Sequence, residues 1–166
     1  MEVWDLYDRN RNKLKEIHTR GEPIPKGKYH LVVHVWIQNE QGELLLSKRH
    51  PDKSYGGYWE CTGGSVIAGE NSLQGACREV AEELGLPLQM ETAQLLQHEV
   101  RENHHLDTWL FFSNIAIEEL TLQPEEVIDA KWVTKQTYQQ MRERGQIVPT
   151  IHDFYALVPS KKPRYC

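Results

Sequence analysis

Residues 64–86 read GSVIAGENSLQGACREVAEELGL, and they form the most informative stretch of the chain. From residue 72 to residue 84, apolar side chains recur at helical spacing and make one stripe. Asn71 or Ser72 can cap the start of this segment with a side-chain oxygen, and Gly85 is suited to end it. The stretch therefore predicts an amphipathic helix over residues 72–84.

A second face of this helix carries three glutamates. Glu79, Glu82 and Glu83 lie at i, i+3 and i+4, so their carboxylates share one side and repel one another. Taken alone, they are explained better by an acidic, solvent-facing helix than by a binding site. A hard divalent cation bound through oxygen would give the cluster a use. Gly75 lies four residues before Glu79, where we expect it to leave room for a ligand.

The flanking residues reverse that preference. Gly64 is followed after five residues by Glu70, and after seven more by the run REVAEELGL at residues 78–86. At average residue usage, this arrangement arises by chance on the order of 10⁻⁹ times per starting position. It resembles the Nudix box of the MutT-like Nudix hydrolases at every defining position. One departure lies nearby, since Thr62 stands where a proline usually precedes the two glycines.

The resemblance implies a fold, a reaction and a cofactor. The fold is an α/β/α sandwich around a mixed β-sheet, with the box as a loop–helix–loop. The reaction is hydrolysis of a diphosphate linkage in a nucleoside diphosphate-X or a related organic diphosphate. The cofactor is Mg²⁺, with Mn²⁺ as the alternative, because metal ions neutralise phosphate charge and activate water.

The resemblance also implies roles for individual residues. The expected metal site combines helix carboxylates, a close backbone approach and one later carboxylate: Glu79, Glu82, Glu83, Gly64 and Glu126. Glu125 is the rival to Glu126, and Glu79 is in some members a general base. Glu70 and Arg78 match a pair that orients the loop against the helix, so they support catalysis.

Two further segments resemble the isopentenyl-diphosphate isomerase branch of the same superfamily. They are residues 43–59 and the opening residues 4–8. By this resemblance Lys48, Arg49 and Lys53 are candidates for binding substrate phosphates. A solvated basic hairpin end explains Lys48 better, and the two explanations are balanced for the other two.

Isomerase activity and a binding module that lost catalysis are the alternative functions. An isomerase needs a catalytic cysteine and a histidine after the tryptophan-containing strand, and here Gly64 and Val66 stand in that region. We expect Cys61 and His30 to be packed rather than catalytic. A binding module would show a degraded box, whereas this box is complete.

The rest of the chain predicts one domain over residues 1–166, of which 1–28 form an N-terminal hairpin and lead-in. Alternating apolar residues predict strands, and helical patterns predict two later helices. The predicted strands are 2–7, 14–19, 30–38, 43–48, 58–62, 93–101, 106–117 and 126–133, and the later helices are 134–143 and 149–158.

Composition narrows the partners. The 166 residues carry a net charge of −5, which argues against a general nucleic-acid or membrane-surface binder and does not exclude a small anionic substrate. The resemblance implies that this partner is a small-molecule diphosphate. The N-terminus lacks the features of a signal peptide, and no apolar run approaches the roughly 20 residues of a membrane span. Three cysteines, Cys61, Cys77 and Cys166, fit reduced thiols and a cytoplasmic protein. The oligomeric state is left open, a homodimer included.

Overall fold

The computed structural model describes residues 1–158. Its strands are β1 (Val3–Tyr7), β2 (Lys13–Thr19), β3 (His30–Gln38), β4 (Leu44–Arg49), β5 (Trp59–Glu60), β6 (Thr62–Ser65), β7 (Gln94–Val100), β8 (His104–Phe112) and β9 (Val127–Val133). The helices are α1 (Ser72–Leu84), α2 (Lys135–Glu143) and α3 (Phe154–Leu157).

The main sheet is mixed and branches at β3. Strand β3 pairs in parallel with β8 along its whole length, from His30 to Gln38. Its other edge pairs antiparallel with β6 over residues 32–35, and touches β4 only at Gln38. Strand β4 continues antiparallel to β5 and β9, and β7 flanks β8. The branch places Gly63 and Gly64 directly beside β3.

Helices cover both faces of this sheet. The face of β3 that carries Leu31 and Val33 packs in one core with Val80 and the other apolar residues of α1. The opposite face carries Trp36, which packs with Tyr138 of α2 in a second core that also includes α3. Burying both faces of a sheet under helices gives the predicted α/β/α sandwich around a mixed sheet.

Helix α1 has the predicted bounds because its caps and its apolar stripe agree. The Asn71 side chain accepts a hydrogen bond from the Gln74 amide at 2.8 Å, and the Gln74 side chain accepts one from the Asn71 amide at 2.9 Å. This capping box satisfies two amides of the first turn. Gly85 ends the helix at φ 64°, a left-handed conformation that glycine adopts without strain.

Strands β1 and β2 pair with each other as the predicted hairpin, and Tyr7 at the end of β1 also exchanges backbone hydrogen bonds with Tyr29. The hairpin lies against the loop that precedes α1. Trp4 stacks on His30 with ring centroids 4.1 Å apart, and Val3 accepts a backbone hydrogen bond from Ala68. The Asp5 side chain accepts another from the Gly69 amide at 2.9 Å.

The predictions near the C-terminus need correction. The helix predicted over 149–158 is wrong at its start, since only Phe154–Leu157 is helical. The side chain of Asp153 caps that single turn by accepting from the Tyr155 amide, so the helix cannot extend back through it. The strand predicted over 106–117 ends at Phe112. Cys166 lies outside the described residues.

Across residues 1–158, none of the helices combines the length and the apolar composition needed to span a membrane.

Candidate active site

Arg78 joins the loop of the box to its helix. Its Nε donates to Glu70 Oε1 at 2.7 Å, and its Nη2 donates to the Ser65 carbonyl at 2.9 Å. The other oxygen of Glu70 accepts from the Ile67 amide at 3.2 Å. Charge-assisted bonds of this kind are short and directional. The structure thus brings the predicted pair together across the loop that leads into α1.

The three glutamates of α1 differ in exposure. The side chains of Glu79 and Glu82 are 13% and 52% exposed, and each accepts a 3.2 Å contact from Arg78. Glu83 is 9% exposed. Burial, opposed by Arg78 and reinforced by Glu82, raises the pKa of Glu79 to about 7. Burial and then repulsion from Glu79 raise the pKa of Glu83 to about 8. The helix therefore holds two carboxylates whose charge is poorly compensated.

The backbone at Gly64 lies against the Glu79 carboxylate, and its predicted approach to metal and phosphate stays a prediction. A Cβ at this position would lie 2.2 Å from Cδ of Glu79, so any other residue would displace the carboxylate. Gly75 serves a different purpose from the one predicted. A Cβ there would lie 2.8 Å from a methyl carbon of Val66, so the missing side chain admits an apolar packing contact rather than a ligand.

Two adjoining cavities meet at Glu83. The carboxylate cavity has a volume of about 240 Å³ and is lined by Glu2, Arg20, Lys53, Gly63, Gly64, Ser65, Glu79, Glu82, Glu83, Gln123 and Glu126. The side cavity has a volume of about 290 Å³ and is lined by His34, Arg49, Lys53, Ser54, Tyr55, Glu60, Cys61, Gly63, Gly64, Glu83, Val148, Thr150 and Ile151. A ligand with a charged centre and a larger attached group would fit such a pair.

Lys53 and Glu126, predicted separately, are joined in an ion pair. Glu126 lines the carboxylate cavity, whereas Glu125 is exposed to solvent. Lys53 lines both cavities. Of the two candidates, Glu126 therefore lies at the cavity with Lys53 balancing its charge, and its role as a metal ligand stays a prediction.

The other predicted basic residues lie in different surroundings. Arg49 lines the side cavity, but its Nη1 donates to both carboxylate oxygens of Glu60, at 2.9 and 3.0 Å. Lys48 lies 5.8 Å from the centre of the Trp59 ring. Its amino group is placed for a cation–π contact with that ring. Neither arrangement tests a role in phosphate binding, and that role stays a prediction.

Several residues of the cavities were not among the predicted site residues, and they include Glu2, Arg20, His34 and Glu60. Glu60 and His34 lie on strands, and the sequence offers no sign that they face a shared cavity. Burial raises the pKa of Glu60, against the lowering effect of Arg49. Glu2 and Arg20 come from the N-terminal hairpin, and only tertiary packing brings them beside α1.

His30 and Cys61 are buried, at 7% and 1% exposed. Burial lowers the pKa of His30 to about 4, with smaller contributions from His104 and His18, so the ring is neutral. Burial also raises the pKa of the Cys61 thiol. Both observations agree with packed residues, as expected from the sequence.

The carboxylates of the site are candidates for binding a divalent metal ion. Within residues 1–158, no three His, Cys, Asp or Glu side chains converge closely enough to hold an ion in the observed conformations. Arg78 forms salt bridges with Glu79 and Glu82, and these contacts help to set the positions of the two carboxylates. The donor set itself suits Mg²⁺ or Mn²⁺, because carboxylate oxygens project from one helix face beside the bare backbone of Gly64.

Comparisons with known proteins agree with this geometry. Residues 28–154 match the family model described as NUDIX domain. An uncharacterized Nudix hydrolase of Listeria innocua is 40% identical over 151 residues, which are 90% of this chain and 89% of that protein. An isopentenyl-diphosphate Delta-isomerase of Pectobacterium atrosepticum is 39% identical over 83 residues, 49% of this chain and 46% of its own length.

Among solved structures, the crystal structure of a Deinococcus radiodurans protein superposes with a TM-score of 0.71. The two sequences are 20% identical, and the match covers 89% of this chain and 92% of that one. At this identity the likeness concerns the fold alone.

Proposed function

The chain belongs to the Nudix family and is a hydrolase acting on pyrophosphate bonds, and from that premise we propose that it cleaves a nucleoside diphosphate-X or a related organic diphosphate with the help of a divalent metal ion. The observation that carries this proposal is the pair of buried carboxylates, Glu79 and Glu83, facing a cavity beside Gly64. Burying two like charges without full compensation is costly, and a site for a cation and a phosphate accounts for that cost.

Each residue of the box has a proposed task. Glu79, Glu82 and Glu83 would hold Mg²⁺ or Mn²⁺, with Glu126 as the later carboxylate. When bound, the metal would neutralise the phosphate oxygens and make a water molecule more acidic. Glu79 takes the proton of the attacking water, a role its carboxylate can fill from the cavity wall.

The supporting residues fix the geometry of that step. Arg78 and Glu70 hold the loop so that the backbone at Gly64 stays against the carboxylate of Glu79. Small displacements of reacting groups are costly in rate, so this clamp contributes to catalysis without contacting substrate. Loss of either partner would loosen the loop on the helix.

The side cavity is proposed to accept the group X. It shares Lys53 and Glu83 with the carboxylate cavity, so a diphosphate held at the carboxylates can extend into it. Lys53 and Arg49 are the proposed phosphate-binding cations there. We keep a small-molecule diphosphate, rather than a nucleic-acid polymer, as the partner. Cytoplasmic localisation and a homodimer remain predictions.

A screen that resolves the products by chromatography and mass spectrometry tests the proposal, since cleaving the diphosphate of a nucleotide sugar leaves two phosphate monoesters and no free phosphate. The protein is incubated with nucleotide sugars, dinucleoside polyphosphates, nucleoside triphosphates, diphosphate coenzymes and prenyl diphosphates in Mg²⁺, in Mn²⁺ and in EDTA. We expect turnover of at least one class in metal and none in EDTA. Turnover that persists unchanged in EDTA would contradict the metal role, and inactivity towards every class would contradict the proposed substrate group.

A further inference from the structure

An ion pair between a partly exposed arginine and a buried aspartate connects the N-terminal hairpin to the rest of the chain. Arg11, in the turn between β1 and β2, donates to both oxygens of Asp107 at 2.7 and 2.6 Å. Asp107 lies on β8 and is 4% exposed. A bidentate pair of this kind fixes orientation as well as distance. Together with the stacking of Trp4 on His30, it fixes the hairpin beside the box.

The two ends of the hairpin reach the carboxylate cavity. Glu2 lies just before β1 and Arg20 just after β2, and both line the cavity that holds Glu79 and Glu83. The family model begins at residue 28, so these side chains come from a segment outside it.

The side chain of Glu2 is held from two directions. Its Oε1 accepts from Trp4 Nε1 at 2.8 Å, and its Oε2 accepts from Arg20 Nη1 at 3.1 Å. The Arg20 amide also donates to the Glu2 carbonyl at 3.0 Å. Trp4 is 8% exposed and stacked on His30. The Arg20 guanidinium is therefore connected to the protein core through Glu2 and Trp4.

Arg20 is one of two positively charged residues at a mostly acidic cavity. The lining includes five carboxylates and two cations, Arg20 and Lys53. Lys53 is engaged by Glu126, and its side chain is 28% exposed, whereas that of Arg20 is 61% exposed. A phosphoryl group entering this acidic cavity needs a cation that can reach it.

We propose that Arg20 binds a phosphoryl group of the substrate at the rim of the carboxylate cavity, and that Glu2 positions it. This inference rests on the proposed function, because it assumes that a diphosphate occupies the cavity. The planar guanidinium can donate two parallel hydrogen bonds to phosphate oxygens, which a lysine cannot do. Its exposure leaves donors available beyond the one given to Glu2.

Binding of a non-hydrolysable diphosphate tests this inference separately from turnover. Methylenediphosphonate is titrated calorimetrically, in the presence of Mg²⁺, into the wild-type protein and into Arg20→Ala, Arg20→Lys and Glu2→Gln. Arg9→Ala is the matched control, since Arg9 is an exposed arginine in the turn of the same hairpin. Melting temperatures verify that each variant is folded.

The expected results distinguish a direct contact between Arg20 and phosphate from a general effect of its positive charge. Arg20→Ala should weaken binding about tenfold, as expected for one exposed charge-assisted contact. Arg20→Lys should recover only part of the loss, and Glu2→Gln should lose less than Arg20→Ala. With a turned-over substrate, Arg20→Ala should raise KM while kcat changes little.

Two outcomes would overturn the inference. Equal binding by the wild-type, Arg20→Ala and Arg9→Ala proteins, with hydrolysis intact, would refute the role of Arg20 and leave the proposed function standing. A wild-type protein that neither binds the probe nor hydrolyses any diphosphate would overturn both.

Discussion

Replacing Glu83 by glutamine should remove activity and stabilise the fold. The carboxylate is 9% exposed and lines both cavities, so the glutamine fits the same space and removes only the charge. Losing a metal ligand or an acid–base group at this position should lower kcat at least about a hundredfold, or about 2.7 kcal/mol in the barrier. Glu143→Gln is the control, because Glu143 is an exposed glutamate at the end of α2.

The effect on stability follows from the raised pKa. Burial and the charge of Glu79 raise the pKa of Glu83 from its ordinary value of 4.5 to about 8, so the folded protein retains a proton that the unfolded chain releases. Stability is therefore lost as pH rises through this window, by an amount on the order of 3 kcal/mol at pH 7.

Two assays measure these effects. Thermal unfolding of metal-free protein in EDTA should show the Glu83→Gln variant melting several degrees above the wild type at pH 7, with the difference shrinking towards pH 5. Steady-state kinetics should show the loss of turnover. Full activity in Glu83→Gln would refute the assignment, and a lower melting temperature would refute the argument from burial.

Three other predictions concern the clamp, the reaction type and a buried histidine. Single substitutions of Glu70 and Arg78 should each reduce kcat. A double-mutant cycle should show coupling, since the two side chains are 2.7 Å apart. Strictly additive effects would contradict a joint role of this pair. Incubation with isopentenyl diphosphate and Mg²⁺ should yield no dimethylallyl diphosphate, because Gly64 and Val66 offer no ionisable group; a product peak would favour an isomerase. Burial lowers the pKa of His30 to about 4, so the unfolded chain takes up a proton at this residue before the folded protein does. The free energy of unfolding should therefore fall by about 2 kcal/mol between pH 6.5 and pH 5. This fall should be smaller in His30→Gln, and an unchanged slope would contradict the burial argument.

Local signals predicted α1 and the box well. The N-cap, the apolar spacing and the glycine that ends the helix all lie within residues 71–85. The bounds of the helix therefore do not depend on contacts with distant segments. The pairing of Glu70 with Arg78 was also local, eight residues apart along the chain. Gly75 shows the limit of such reasoning, because its partner Val66 belongs to the preceding loop and no helical pattern reveals that contact.

Contacts between distant segments could not be read from the sequence. The pairing of Arg49 with Glu60 depends on β4 and β5 being neighbours, and the pair of Arg11 and Asp107 joins residues 96 positions apart. The segment before α3 was expected to be helical from its pattern. It instead contributes residues such as Ile151 to the wall of the side cavity, an arrangement that tertiary packing selects.

Hydrolysis in ¹⁸O-labelled water tests the central claim most directly. The diphosphate found by the product screen is turned over with Mg²⁺ and with EDTA, and the products are analysed by mass spectrometry. We predict that one phosphate-containing product gains a single ¹⁸O, that this requires the metal, and that Glu83→Gln loses it. Product formation without ¹⁸O, or at the same rate in EDTA, would contradict metal-assisted attack of water on the diphosphate.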